Sequence, residues 1–136
     1  LRAILFKNVW GSDRDAEAIA LCEKIRADHF PEATDLCFHS HRLQKAGDPV
    51  PGGLLVANPP YGKRLGSEPE LVGLYRDLSW AARCRVPGGG FSLFTANRAA
   101  AKQIPLKPAW TRTLFNGALE GLLLHYRMPE AKKAAS

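Results

Sequence analysis

Leu54-Leu55-Val56-Ala57-Asn58-Pro59-Pro60-Tyr61-Gly62 is the stretch on which the reading of this chain turns. Its four leading apolar residues read as a short strand buried on both faces. Two prolines then stop it, because neither carries an N–H for a sheet ladder. Such a junction suits chemistry on a planar amine. An exocyclic amine is a weak nucleophile while its lone pair is delocalised into the ring, and two acceptors that take its N–H bonds localise that pair again. The side-chain oxygen of Asn58 and the backbone carbonyl of Pro59 are acceptors of this kind. The Pro59-Pro60 dipeptide fixes the direction of the carbonyl, and Tyr61 offers a flat face for stacking. Asn-Pro-Pro is also an ordinary turn at a strand end, so the flanking sequence has to weigh between the two.

Upstream, Ala3 to Trp10 is rich in Ile, Leu, Phe and Val and reads as a strand ending at Gly11-Ser12-Asp13-Arg14-Asp15. A helix follows: Asp15 can cap it, Glu17 favours its positive end, and Ile19, Cys22 and Ile25 form a stripe toward His29, with Pro31 as the stop. Leu36 to Phe38 is a further strand, and Gln44 to Gly53 a polar loop leading into the strand at Leu54. Downstream, Ser67 and Glu70 make a capping-box pattern with Pro69 in the first turn. Leu71, Leu74, Tyr75, Leu78 and Ala82 then share one helical face. Pro87 and the glycines at 88 to 90 end that helix, and Phe91 to Thr95 begins another buried strand. Thr111 to Phe115 and Ala118 to Met128 are strand-like, and Asn116-Gly117 between them predicts an antiparallel hairpin with a type I′ turn. From Pro129 an Ala and Lys tail reads as a linker.

A length of 136 residues, 46% hydrophobic and 24% charged, allows one domain with a modest core. No apolar run is long enough to span a membrane, and no charged-then-apolar leader is visible. The chain opens at Leu1 without an initiator Met, which suggests a fragment. Cys22, Cys37 and Cys84 are an odd set without motif spacing and fit a reduced, cytoplasmic protein better than a disulfide framework. The net charge of +6 favours a polyanionic partner without excluding a simple solvated basic surface.

The tetrad Asn58-Pro59-Pro60-Tyr61 after an apolar strand resembles motif IV of the S-adenosylmethionine-dependent amino-group methyltransferases. The continuation Gly62-Lys63-Arg64-Leu65-Gly66 is close to N-P-P-Y-G-E-R-L-G, which looks like the bacterial 23S ribosomal RNA guanine-N2 methyltransferases of the THUMP-associated class. Gly11 to Asp15 is similar to that family's G-S-D-x-D, and FNGALEGLLLHYRM resembles its closing hairpin. The resemblance covers about Trp10 to Met128, with Asn58 to Leu65 its most specific part.

The resemblance implies an α/β fold, a Rossmann-like methyltransferase sheet with a C-terminal antiparallel hairpin, lacking the first, Gly-rich strand. It implies a partial catalytic domain over residues 1–128, with 129–136 a linker or disordered tail. An acidic residue beyond the carboxyl end of a strand can accept both hydroxyls of a ribose. By the resemblance Asp13 takes the ribose of S-adenosylmethionine and Arg14 flanks the adenine, while Asp15 is left to capping. The resemblance also implies that Asn58 contacts the cofactor. Catalysis is expected of Asn58, Pro59, Pro60 and Tyr61. Lys63 and Arg64 are placed to meet RNA phosphates, as are Arg98, Lys102 and Lys107. The expected substrate is ribosomal RNA, with an upstream THUMP domain or a second methyltransferase domain in the full-length protein.

Three departures qualify this. The Gly-rich turn has no counterpart, and with it goes the central strand that would separate the Asp13 and Asn58 strands. That gap would need residues outside the chain, a rearrangement or a partner, so the chain alone is expected to bind cofactor poorly. His39, Ser40, His41 and Arg42 stand where the family tends to carry an adenine-contacting carboxylate, and Lys63 replaces a Glu. Cys37, His39 and His41 alternate as metal-ligand types, but the spacing fits no zinc pattern and no metal is assigned. His125 reads as an ordinary strand residue, and Trp10, Trp80 and Trp110 as core or partly buried packing groups.

Other readings stay open. N6-adenine DNA methyltransferases and protein-glutamine methyltransferases present the same planar NH2 to an N-P-P-Y tetrad, and only the G-x-R-L extension and the hairpin favour RNA guanine. A non-catalytic RNA-binding fragment would keep the basic surface without the cofactor site.

Overall fold

The computed structural model describes residues 9–43, 47–60 and 68–132. The chain forms two compact units, Leu1–Ala46 and Gly47–Ser136. Among the described residues, no helix is long and apolar enough to cross a membrane.

The first unit is a strand-helix-strand. β1 (Val9–Asp13) runs parallel to β2 (Leu36–Ser40), in a register that sets Gly11 against Phe38 and Asp13 against Ser40. The strand therefore takes in Gly11-Ser12-Asp13, which the sequence placed beyond its end; the predicted start at Ala3 lies outside the described residues. Parallel pairing with a five-residue β2 that also includes His39 holds those residues extended. α1 (Ala16–His29) begins as expected: the Asp15 carboxylate accepts from the backbone N–H of Glu17 at 2.9 Å and of Ala18 at 3.4 Å. These are two of the donors that a helix start leaves unpaired. Glu23 pairs with Arg26 at 2.8 Å and accepts from the Phe38 N–H at 3.3 Å, tying α1 to β2.

The second unit is a four-stranded sheet of order β3-β4-β6-β5, with β3 (Leu54–Ala57), β4 (Gly90–Thr95), β5 (Trp110–Asn116) and β6 (Leu119–Arg127). β3 is parallel to β4, whereas β6 is antiparallel to both β4 and β5. α2 (Glu68–Arg85) joins β3 to β4, and a short α3 (Arg98–Ala101) lies between β4 and β5. α2 buries Leu71, Tyr75, Leu78 and Ala82 as the periodicity predicted, with Leu74 half-buried. The Ser67 end of the predicted capping box lies outside the described residues. The core consists of these residues together with Phe91, Leu93, Leu124 and Tyr126. Phe91 and Tyr126 stack with ring centroids 5.6 Å apart. Burial pushes the Tyr126 phenol up to about 12.

Two expectations need correction. Among the described residues of this unit β3 is an edge strand and not buried on both faces: Leu54 and Val56 are 61% and 68% exposed, because β4 is the one strand paired with it here and α2 lies over the other face of the sheet. The hairpin loop is Gly117-Ala118, one residue later than expected. Asn116 still pairs with Leu119, and Gly117, at φ 61°, takes the first central position where a two-residue hairpin needs positive φ. Of the two roles read for the tryptophans, core or partly buried packing, the second holds: Trp10, Trp80 and Trp110 are 48%, 54% and 41% exposed. Trp110 packs its ring on His125 at 5.0 Å, and the His125 Nδ1 is hydrogen-bonded to Ser92 Oγ at 2.9 Å. The glycine run has a packing role. A Cβ on Gly89 would lie 2.0 Å from the Gly53 carbonyl oxygen, so only glycine lets these two segments meet.

Candidate active site

The corner at the carboxyl end of β3 is formed by Asn58, Pro59 and Pro60. β3 pairs with β4 as far as Ala57 opposite Leu93, and the prolines end the ladder there. Asn58 and Pro59 each precede a proline, which biases both toward extended backbone and steers the chain out of the sheet. Asn58 is exposed, Pro59 buried and Pro60 half-buried. An exposed polar side chain thus stands on a buried proline footing, at the sheet end where open α/β folds bind ligands. Tyr61, Lys63 and Arg64 lie outside the described residues.

In the first unit Asp13 occupies the carboxyl end of β1. It is exposed, and its Oδ1 accepts the Asp15 N–H at 2.9 Å. That bond fixes the carboxylate while leaving the second oxygen for a hydroxyl, so the residue suits a ribose. Arg14 is exposed beside it. Asp15 caps α1, as the sequence reading assigned it.

Other predicted contacts are spread along the surface. Lys102 and Lys107 are exposed, whereas Arg98 pairs with Glu120 of β6 at 2.6 Å. His39 and His41 stack at 6.3 Å, and among the described residues no group of three His, Cys, Asp or Glu is arranged to hold a metal.

The end of β4, beside the corner, carries residues that sequence reasoning did not assign to the site. The hydroxyl groups of Tyr75 and Thr95 are hydrogen-bonded at 2.5 Å, and both residues are fully buried. Thr95 Oγ1 also accepts the Asn97 N–H at 2.9 Å, and Asn97 Oδ1 accepts from the Ala100 N–H at 2.9 Å, capping α3. The Asn97 cap had a signal, an Asn directly before Arg-Ala-Ala-Ala. Tyr75 had one only as a member of an apolar face, and Thr95 had none.

Comparison with known proteins places the chain. The model of UPF0020, the RMKL-like methyltransferase domain, matches residues 3–125. The chain belongs to this family. A ribosomal RNA large subunit methyltransferase K/L from Marinomonas sp. is 36% identical over 81% of the chain and 16% of its own length. The protein of the same name from Syntrophotalea carbinolica is 43% identical over 60% of the chain and 11% of its own length. The chain therefore spans less than a fifth of either relative. Among solved structures, SMU.472 complexed with SAH superposes with a TM-score of 0.80 at 22% identity, covering 91% of this chain and 32% of that one. TrmN from Thermus thermophilus superposes at 0.75 with 20% identity, over 88% of this chain and 36% of its own. These likenesses show an α/β methyltransferase fold with a mixed sheet and a terminal antiparallel hairpin.

Proposed function

We propose that this domain methylates the exocyclic N2 amine of a guanine in 23S ribosomal RNA, using S-adenosylmethionine, as part of a cytoplasmic protein. The observation that carries the reading is the exposed Asn58 on the buried Pro59, at the carboxyl end of a parallel strand in a member of the RMKL-like methyltransferase family. The K/L relatives are named as ribosomal RNA methyltransferases, which supports RNA as the substrate class. A THUMP domain or a second methyltransferase domain elsewhere in the protein belongs to the same proposal.

Asp13 would take the ribose of the methyl donor through its second carboxylate oxygen, and Arg14 would flank the adenine. When bound, S-adenosylmethionine supplies a methyl group already activated by a positive sulfur. The work of this chain is then to present the acceptor. A base has to leave its stack to reach the corner. Asn58 Oδ1 and the Pro59 carbonyl each accept one N–H, which aims the amine lone pair. Pro60 holds the carbonyl direction and Tyr61 stacks on the ring. Orientation of this kind is worth up to about 7–11 kcal/mol, so no strong general base is required. The proton leaves afterwards, because an alkylated amine is far more acidic. Lys63 and Arg64 meet the phosphates around the flipped base.

The test is incorporation of labelled methyl from S-adenosylmethionine into undermodified 23S RNA, duplex DNA and protein, with wild-type and Asn58→Ala proteins. Transfer to RNA alone, lost in Asn58→Ala by at least roughly a hundredfold with RNA binding kept, is the expected result. Transfer to DNA or protein instead would replace the substrate, and a normal rate in Asn58→Ala would remove the amine-holding role.

A further inference from the structure

The described elements on both sides of the Asn58 corner are tied to β4. Before it comes the β3 ladder, which ends with Ala57 against Leu93. The next described element after it is α2, two turns into which Tyr75 is hydrogen-bonded to Thr95. Thr95 stands two places past Leu93, where β3 and β4 last pair, and Asn58 follows Ala57 directly. Thr95 and Tyr75 have no exposed surface, and Pro59 is buried. The Thr95 oxygen also holds the Asn97 N–H, the start of the segment that leaves β4.

We infer that Thr95 and Tyr75 are positioning residues for amine methylation: their buried hydrogen bond clamps α2 to the end of β4, just past its last pairing with β3, and so steadies the strand end from which Asn58 and Pro59 present their acceptors. Apolar packing alone would bury α2 without setting where along β4 it sits. A hydroxyl pair adds that setting, because it is satisfied in only one alignment and buried polar groups left unpaired are costly. Catalysis by orientation is the case in which such a setting matters, since a misplacement of about 1 Å can cost on the order of a hundredfold in rate. This inference rests on the proposed methyl transfer at Asn58.

The experiment compares Thr95→Val, Thr95→Ser, Tyr75→Phe, Leu78→Ala and Asn58→Ala in the active protein, reading kcat, KM for RNA and for S-adenosylmethionine, and Tm. Thr95→Val and Tyr75→Phe keep the volume and remove one hydroxyl. Each should lower kcat by roughly ten- to a hundredfold with both KM values within about twofold. Thr95→Ser, which keeps the oxygen, should restore most of the rate. Leu78→Ala, a core truncation on the same helix, should lower Tm at least as much while kcat, measured well below that Tm, stays normal. Line broadening of the Asn58 side-chain amide in 15N spectra of Thr95→Val, absent in Leu78→Ala, is the expected signature without turnover. If Thr95→Val and Tyr75→Phe lose no more kcat than Leu78→Ala while Asn58→Ala is inert, the clamp is wrong and the role of Asn58 stands. If Asn58→Ala turns over normally, the amine corner falls and the clamp with it.

Discussion

The two units of this chain differ in what holds them. In Leu1–Ala46 the only buried apolar residue among those described is Ala33, and α1 buries none of its residues. Its order comes from the β1–β2 pairing, the Asp15 cap and the bonds of Glu23. In Gly47–Ser136 one face of α2 closes over Phe91, Leu93 and Tyr126, each at most 1% exposed. The lesson is a division of labour: the candidate amine-holding corner stands on the well-packed unit, and the candidate ribose carboxylate on the thinly packed one. If the proposed methyl transfer holds, the better-packed unit is the one on which orientation of the amine depends.

The sharpest way to break this contrast is a pair of truncations followed by denaturant unfolding. Phe91→Ala should cost about 3–5 kcal/mol, as large aromatic deletions in packed cores do. Ile25→Ala in the first unit, at a position 45% exposed, should stay within about 0.5 kcal/mol. Comparable losses would refute the contrast. Alkali offers a second handle. The buried Tyr126 phenol titrates at about 12 in the fold against about 10 when unfolded. Its contribution is therefore complete below pH 10 and lost as the pH rises through 12, a decline of about 2–3 kcal/mol. Tyr126→Phe should flatten that part of the stability curve measured by thermal melts. Smaller again is Asp15→Ala, expected to cost about 1 kcal/mol. It should be felt as faster hydrogen exchange at Glu17 and Ala18, with β4 and β6 amides unchanged. Last is Arg98→Ala, which breaks an exposed pair with Glu120 and should change stability by less than about 1 kcal/mol, with the difference shrinking in high salt.

What the sequence made legible follows from local rules. The α2 face, the Asp15 cap, the break at Pro59 and the presence of a hairpin are each decided within a few residues, by periodicity, a side-chain acceptor, a missing N–H or a glycine. The Asn58 corner was legible for the same reason. Features set by neighbours were not. The exposure of Leu54 and Val56 depends on which strands flank β3, and an apolar run reads identically in an edge or a central strand. The hairpin slipped by one residue because both Asn and Gly tolerate positive φ, and only pairing of Asn116 with Leu119 chooses between them. Tyr75 and Thr95 are twenty residues apart, and nothing local announces that their hydroxyls meet.

The margin of the second unit has one more consequence. Among the described residues of the second unit, Leu54-Leu55-Val56-Ala57 offers a strand flank without a charge, a proline or a bulge to discourage pairing, and natural sheets usually protect such flanks. At the concentrations used for spectroscopy the second unit by itself should therefore adhere to further copies through β3. Solubility, more than unfolding, then sets the ceiling on how much of it can be handled in isolation.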